Sequence, residues 1–355
     1  MSPSFWKGKK VFLTGHTGFK GSWLSLWLQR LGANLTGYSL QPPSDPSLFE
    51  VAQISSGMVS LEGDVRDLDR LMKTLTEKKP EIVIHMAAQS LVRLSYTHPV
   101  ETYATNVMGT INILEAVRHC KETKVVLVVT SDKCYENKER PQGYQEDEPM
   151  GGHDPYSNSK GCAELVTAAY RNSFFGEGPS HQKTAIASAR AGNVLGGGDW
   201  GKDRLIPDIL TSFMQQKQAF IRSPEAIRPW QYVLDLLNGY TTLIERLWEG
   251  GKKYTQGWNF GPDDEGVWPV KKIATALTNL WGQKAQWEFD KTPHPHEATL
   301  LKLDSSKARQ QLGWLPKLPL ATALEWTVEW YRAFKENKPM RQVTEEQIER
   351  FQLLS

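Results

Sequence analysis

Two short stretches of this 355-residue chain have the residue types and spacing to do chemistry together. The first is Tyr156-Ser-Asn-Ser-Lys160. A tyrosine and a lysine four positions apart on a helix share one face. A free phenol, with a pKa near 10, is a poor base at neutral pH. An ammonium ~4 Å away, at an effective dielectric of ~20, contributes roughly 4 kcal/mol, or about three pKa units, toward phenolate. Tyr156 is therefore expected to take a proton from an alcohol, with Lys160 as the charge that acidifies it. The second stretch is Thr130-Ser131-Asp132-Lys133. The Ser131 hydroxyl can hydrogen-bond the reacting oxygen. A carboxyl at Asp132 in a desolvated pocket would have a raised pKa and could act as a general acid. Taken alone, the Tyr–Lys pair is an ordinary exposed helix pair, and Asp132 a capping or turn residue.

A third group changes that balance. Gly15, Gly18 and Gly21 stand directly behind Val11-Phe12-Leu13, in V-F-L-T-G-H-T-G-F-K-G-S-W-L. This order is strand, tight turn, then an apolar-periodic helix. Glycines there permit a sharp turn, close approach of backbone to a pyrophosphate, and tight helix–strand packing, with the phosphates on the helix N-terminus. The spacing is G-x-x-G-x-x-G rather than the usual G-x-G-x-x-G. Asp64 with its neighbour Val65 suits an adenine edge, and Ala87-Ala88 would let a cofactor approach closely. Together with Tyr156 and Lys160, these residues predict a nicotinamide dinucleotide accepting hydride while the phenol accepts the proton. The end of the second strand, Thr36-Gly37-Tyr38-Ser39-Leu40-Gln41, has no acid for a ribose diol and no arginine for a 2′-phosphate. Soft selectivity between NAD and NADP follows, with weaker cofactor affinity than in homologues that carry the acid.

The elements that must hold these residues alternate. Strands are expected at Val11–Leu13, Leu35–Ser39, Val59–Glu62, Ile82–Ala88, Val125–Thr130 and Ala185–Arg190. Helices are expected near Trp23–Leu31 and Val100–Arg118, with another starting around Tyr156. Nearly unbroken apolar runs such as Ile82–Ala88 belong to strands buried on both faces. The fold class is α/β: a doubly wound parallel sheet of Rossmann type with a smaller mixed α+β lobe. Residues 1–190 form the dinucleotide-binding domain and residues 191–355 mainly a substrate lobe, with the chain crossing between the two. In that lobe helices are expected near Leu205–Gln215, Leu236–Trp248, Val270–Trp281, Ser305–Leu312 and Leu320–Phe334. Short strands are expected at Trp230–Val233, Trp258–Phe260 and Gln286–Phe289. Loops are expected at Gly196–Gly201 and at the Pro-rich segment Thr292–Glu297.

Lys+Arg 42 against Asp+Glu 40 is a near-neutral balance without a basic block, which gives nucleic-acid binding no support. No run of ~18 apolar residues could span a membrane, and the N-terminal apolar segment is too short for a secretion signal. Cys120, Cys134 and Cys162 show neither metal spacing nor an even disulfide set, which fits a reducing cytoplasm. His16, His85, His153, His294 and His296 form no ligand pattern, so no metal is expected. Arg228, in R-P-W-Q-Y-V-L-D, can clamp a diphosphate bidentately, and Asn193 and Arg204 flank the glycine loop where they could assist. Asn106 could hold a relay water or a helix distortion. Trp200 could stack on a nucleobase, although most tryptophans here should be core.

From about Lys9 to Leu315 the chain resembles the extended short-chain dehydrogenase/reductases, and within them the sugar-nucleotide 4,6-dehydratases. T-G-H-T-G-F-K-G-S-W-L (Thr14–Leu24), A-A-Q-S-L-V-R (Ala87–Arg93), T-S-D-K (Thr130–Lys133) and R-A-G-N-V-L-G-G-G-D-W (Arg190–Trp200) resemble most the members that act on CDP-glucose. The resemblance implies NAD as cofactor, with Phe19 beside the three glycines, and CDP-glucose as substrate, with Gln89 among its contacts. It implies oxidation at C4, loss of water across C5 and C6, and hydride return to C6, in deoxysugar biosynthesis. Asp132 would then protonate the departing C6 hydroxyl. The dTDP-glucose dehydratases have Asp-Glu at this site, the glutamate removing the C5 proton, whereas this chain has Asp132-Lys133. Lys133 acts either as a base of depressed pKa or as a cation beside the enolate. Homodimers or larger assemblies pairing through the two long helices are also implied. The alternatives are a dTDP- or GDP-sugar dehydratase, a 4-epimerase, or a non-catalytic cofactor sensor. An epimerase has no use for the acid at Asp132, and a sensor no need of the Ser131–Tyr156–Lys160 set.

Overall fold

The computed structural model describes residues 3–176, 182–282, 284–292 and 300–354. Its first half alternates strand and helix: β1 (Lys10–Thr14), α1 (Phe19–Arg30), β2 (Asn34–Ser39), β3 (Val59–Glu62), α2 (Leu68–Lys78), β4 (Ile82–His85), α3 (Gly109–Arg118), β5 (Val125–Val129), α4 (Pro155–Phe174) and β6 (Ala185–Ala191). β7 (Asn193–Leu195), α5 (Leu205–Met214), β8 (Ala219–Ile221), β9 (Ile227–Tyr232), α6 (Val233–Gly250), β10 (Gly257–Phe260), β11 (Val267–Pro269), α7 (Val270–Trp281), β12 (Trp287–Phe289), α8 (Ser306–Leu312), α9 (Leu320–Lys335) and α10 (Met340–Gln352) follow. Among the described residues one parallel sheet has seven strands, in the order β10-β6-β5-β4-β1-β2-β3. β4, β5 and β6 are buried at every position, which is why their sequences are apolar or small apart from His85 and Arg190. This is the doubly wound architecture expected, and the strand order reverses between β1 and β4, where such sheets bind ligands beyond their carboxyl ends.

Several elements depart from expectation, each for a visible reason. Strand four ends at His85: the Met86 amide is shared between the Thr14 carbonyl at 3.3 Å and its hydroxyl at 3.1 Å, and the Ala87 amide donates to that hydroxyl at 3.2 Å. The long helix near Val100–Arg118 is interrupted by a π turn at Ala104–Met108. Asn106 lies in that turn and bonds outward to Gln89 and Ser159, so it holds the helix distortion. Trp258–Phe260 does not belong to the second lobe: β10 pairs in parallel with β6, Gly257 opposite Ser188, and completes the main sheet. Of the helices named above, two were not anticipated. α2 starts at Asp67, whose carboxylate caps the Arg70 amide at 3.0 Å, and α10 follows Pro339.

The smaller lobe carries two short sheets, β11-β9-β7 and β12-β8. Its helices share one core with α1 and the main sheet, in which Trp6, Trp23, Trp27, Trp258, Trp314 and Trp330 are fully buried. Aromatic side chains of this size dominate core energetics, each burying on the order of 150–250 Å². The Trp23 indole donates to the Gly197 carbonyl at 2.9 Å, tying α1 to the glycine loop of the other lobe. The Pro-rich segment, with His294 and His296, lies beyond Thr292 outside the described residues.

Candidate active site

The turn after β1 is built as its glycines require. Gly15 has φ +78°, and a Cβ there would come within 2.7 Å of the Ala87 amide; one on Gly21 would meet the Gly15 carbonyl at 2.0 Å. Gly18 differs: an added Cβ would have only the Gly15 carbonyl within 4 Å and would otherwise project into open space. Gly18 precedes α1 without any side-chain cap, so the first amides of the helix face the cleft beneath it. Those open amides and the missing Cβ fit the pyrophosphate of a dinucleotide.

The cleft at the carboxyl ends of the strands encloses about 1810 Å³. That exceeds the roughly 300–1,000 Å³ of a single-ligand pocket and leaves room for a dinucleotide and a second ligand together. Gly15, Gly18, Phe19, Gly21, Asp64, Val65, Ala87 and Ala88 line its cofactor side. Asp64 has a partner of its own: Arg66 clamps its carboxylate through Nε and Nη2 and holds it below the usual carboxylate range. At the end of β2 the Ser39 hydroxyl is bonded to that of Thr17, while Leu40 stands 54% exposed. A Cβ at Gly37 would strike the His16 ring at 2.4 Å. His16 itself bonds Ser60 at 2.8 Å, and burial pushes its pKa down to about 4, so it is neutral.

At the reactive end Ser131, Asp132, Lys133, Tyr156 and Lys160 all line the same cleft. α4 places the tyrosine and lysine: Pro155 opens it and the Asp154 carboxylate caps the Ser157 amide at 2.9 Å. One turn beyond Lys160, Glu164 pairs with Arg190 at 2.9 Å, both 5% exposed, and accepts from Ser188 at 2.6 Å. This buried network bolts α4 to β6. The Ser131 hydroxyl donates to Asp132 at 2.9 Å, and burial pushes the Asp132 carboxyl up.

The phenol does not behave as its spacing suggested. Lys160 directs its ammonium at the Val129 carbonyl, 3.3 Å away. Burial raises Tyr156 to about 12 against the lowering effect of its Ser131 hydrogen bond and Arg204. Burial, with help from the nearby Lys20, lowers Lys160 to about 7. In the polypeptide alone, desolvation outweighs attraction; phenolate becomes accessible only when a further positive charge enters the cleft.

Asn193, Arg204 and Arg228 also line the cleft. Arg204 is paired with Asp199 at 3.0 Å and donates to Ser90 across the cleft at 2.8 Å. Arg228 faces Asp132 closely enough to lower its pKa. Gln89 is not among the lining residues: its amide bonds Thr102 at 2.9 Å and the Leu91 carbonyl at 3.1 Å, and Ser90 lines the cleft beside it. Trp200 does line the cleft, with its ring edge-on to Trp330, Tyr331 and Phe334. The residue missed is Lys20, which burial and Arg204 lower to about 8 while Asp132 and Asp199 oppose them. Its signal was a lysine between Phe19 and Gly21, inside the glycine turn. Among the described residues no group of three or more His, Cys, Asp or Glu could hold a metal ion, and no helix is long and apolar enough to cross a membrane.

Comparison with known proteins agrees with this geometry. A family model described as GDP-mannose 4,6 dehydratase matches residues 12–327. The CDP-glucose 4,6-dehydratase of Salmonella typhimurium (strain LT2) is 55% identical over 338 residues, covering 95% of this chain and 94% of that one. The dTDP-D-glucose 4,6-dehydratase of Mus musculus is 26% identical, covering 91% and 89%. Two solved structures share the fold. UDP-glucose 4-epimerase from Thermotoga maritima has TM-score 0.80 at 20% identity, covering 91% of this chain and 99% of that one. dTDP-glucose 4,6-dehydratase from Bacillus anthracis, in complex with NAD, has TM-score 0.76 at 19% identity, covering 94% and 100%. With its glycine turn, its Ser131–Tyr156–Lys160 set and a matching family model over most of its length, this chain belongs to the GDP-mannose 4,6 dehydratase family.

Proposed function

We propose that this chain is an NAD-dependent CDP-glucose 4,6-dehydratase, converting CDP-D-glucose to CDP-4-keto-6-deoxy-D-glucose and water. The observation that carries the reading is a buried carboxyl of raised pKa, Asp132, hydrogen-bonded to Ser131 in the cleft that also holds Tyr156. Proton transfer at C4 alone needs only the phenol; an acid beside it is what the loss of a hydroxyl requires. The 55% identity to the Salmonella enzyme supports CDP-glucose as the donor.

Residues 1–190 hold the cofactor, with the first-turn amides of α1 on its pyrophosphate and Ala87 and Ala88 at close approach. When bound, NAD supplies the hydride acceptor for C4 and the donor for C6, and its positive ring is the added charge that Tyr156 needs. Tyr156 takes the C4 hydroxyl proton while Ser131 steadies that oxygen. Asp132 gives its proton to the departing C6 hydroxyl. Lys133 faces the developing enolate as a cation, and the C5 proton leaves through Tyr156 or water. Residues 191–355 mainly bind the sugar nucleotide, Arg228 and Arg204 meeting the diphosphate and Asn193 the sugar. The chain works in the cytoplasm, and it pairs as a homodimer through the two long helices, the one spanning Val100–Arg118 and α4. Val100 at 82%, Leu165 at 59% and Met108 at 49% exposure are apolar side chains left open on these two helices.

The test is to incubate purified protein with NAD and each of CDP-, dTDP-, UDP- and GDP-linked hexoses, then read the near-UV chromophore of a 4-keto sugar in alkali. Product from CDP-glucose is expected. Product only from another donor, or a 4-epimer without keto sugar, would overturn the assignment.

A further inference from the structure

The glycine turn claims one limb of the cleft and Tyr156 with Asp132 claim its centre. A third limb remains between α5 and β8. Its floor is the polar face of α5, where Asp208, Thr211, Ser212 and Gln215 line the cleft at positions i, i+3, i+4 and i+7. Arg204, immediately before α5, is close enough to Tyr156 to affect its titration. At 1.5 Å rise per residue, Asp208 stands about 6 Å and Gln215 about 16 Å along α5 from Arg204. A nucleotide whose sugar lies at Tyr156 would reach this stretch with its base. The facing wall presents Phe220 of β8, 61% exposed and part of the lining. An exposed phenyl face inside a polar cleft is a stacking surface for a planar ring.

We infer that Asp208 determines the choice of nucleobase, its carboxylate accepting a hydrogen bond from the exocyclic amine of cytosine while Phe220 covers the ring. The inference rests on the CDP-glucose assignment above. An ionised carboxylate offers only lone pairs, so it welcomes an amine at that ring position and repels the oxo group of uracil or thymine. Acceptance from this amine is the pairing by which aspartate and glutamate read cytosine in nucleic acids. Burial lifts the Asp208 carboxyl to about 6, Asp203 and Asp199 adding to the rise while Arg222 opposes it. It therefore stays ionised at neutral pH. Arg222 is held by Asp203 at 3.1 Å, which leaves it a fixed part of the limb's rim.

The experiment compares kcat/KM for CDP-glucose and UDP-glucose in the NAD-loaded wild type, Asp208→Asn and Asp208→Ser. Asparagine keeps the size and one acceptor while adding a donor. The wild type is expected to prefer CDP-glucose, and the CDP-to-UDP ratio to fall by about tenfold or more in Asp208→Asn. Thermal unfolding checks that each variant is folded, and Asp208→Ser supplies the comparison if asparagine is not tolerated. A wild-type ratio retained in a folded variant, or a wild type with no preference, overturns this inference alone. A wild type inert toward CDP-glucose overturns the functional assignment itself and is seen before any variant is made.

Discussion

The two ends of the dinucleotide side of the cleft are built on opposite plans. At the reactive end, Tyr156 and Lys160 ride on a helix fastened by the buried Glu164–Arg190 pair, with Ser188 bonded to the same carboxylate. At the rim beyond β2, Leu40 is exposed and Gln41 reaches only the exposed Glu62 side chain. Glu164 and Arg190 are nearly inaccessible, and their charges answer one another in a low dielectric. The segment Ser39–Gln41 itself carries no charged side chain. Atoms that transfer protons must be held to within a fraction of an ångström, whereas atoms that recognise a cofactor's distal hydroxyls can be loosely kept. The expectation that follows is an enzyme strict in chemistry and lax in its grip on the adenosine end.

The contrast can be broken at either end. Glu164→Gln leaves the Arg190 guanidinium buried without a counter-charge and is expected to cost about 3–5 kcal/mol of stability by urea unfolding. Gln41→Ala at the rim is expected to stay within ~0.5 kcal/mol. Equal losses at the two positions would remove the distinction. Lys133→Ala is expected to slow solvent exchange at C5 by about 100-fold, the range for losing a group that stabilises a developing oxyanion, while CDP-glucose binding falls far less. Parallel loss of exchange and binding would make Lys133 a substrate clamp instead. The smallest effect concerns the cofactor. NAD and NADP should differ in kcat/KM by less than about tenfold, since no charged group at Ser39–Gln41 separates a diol from a phosphate. A hundredfold preference would mean that another residue reads the ribose.

What the sequence made legible follows the same division. Gly15 and Gly21 could be read because backbone lies where a Cβ would be, so no other residue serves. β4 to β6 were readable because full burial leaves a nearly uninterrupted run of apolar or small residues. The partner of a side chain is not written in its spacing. Lys160 shares a helix face with Tyr156 yet turns to the Val129 carbonyl, and burial then governs both groups. Gln89 sits within a motif but is drawn off by Thr102 and Leu91. β7, β8 and β11, of three residues each, are too short to carry a period, and β10 returns to the main sheet through a pairing with β6 that no local pattern announces.

One substitution bears most directly on the whole account: Tyr156→Phe, which removes a single oxygen from the buried end of α4. With NAD and CDP-glucose supplied, 4-keto sugar formation is expected to fall by about a thousandfold or more while the variant still binds CDP-glucose. Product formed at the wild-type rate by the phenylalanine variant would contradict it.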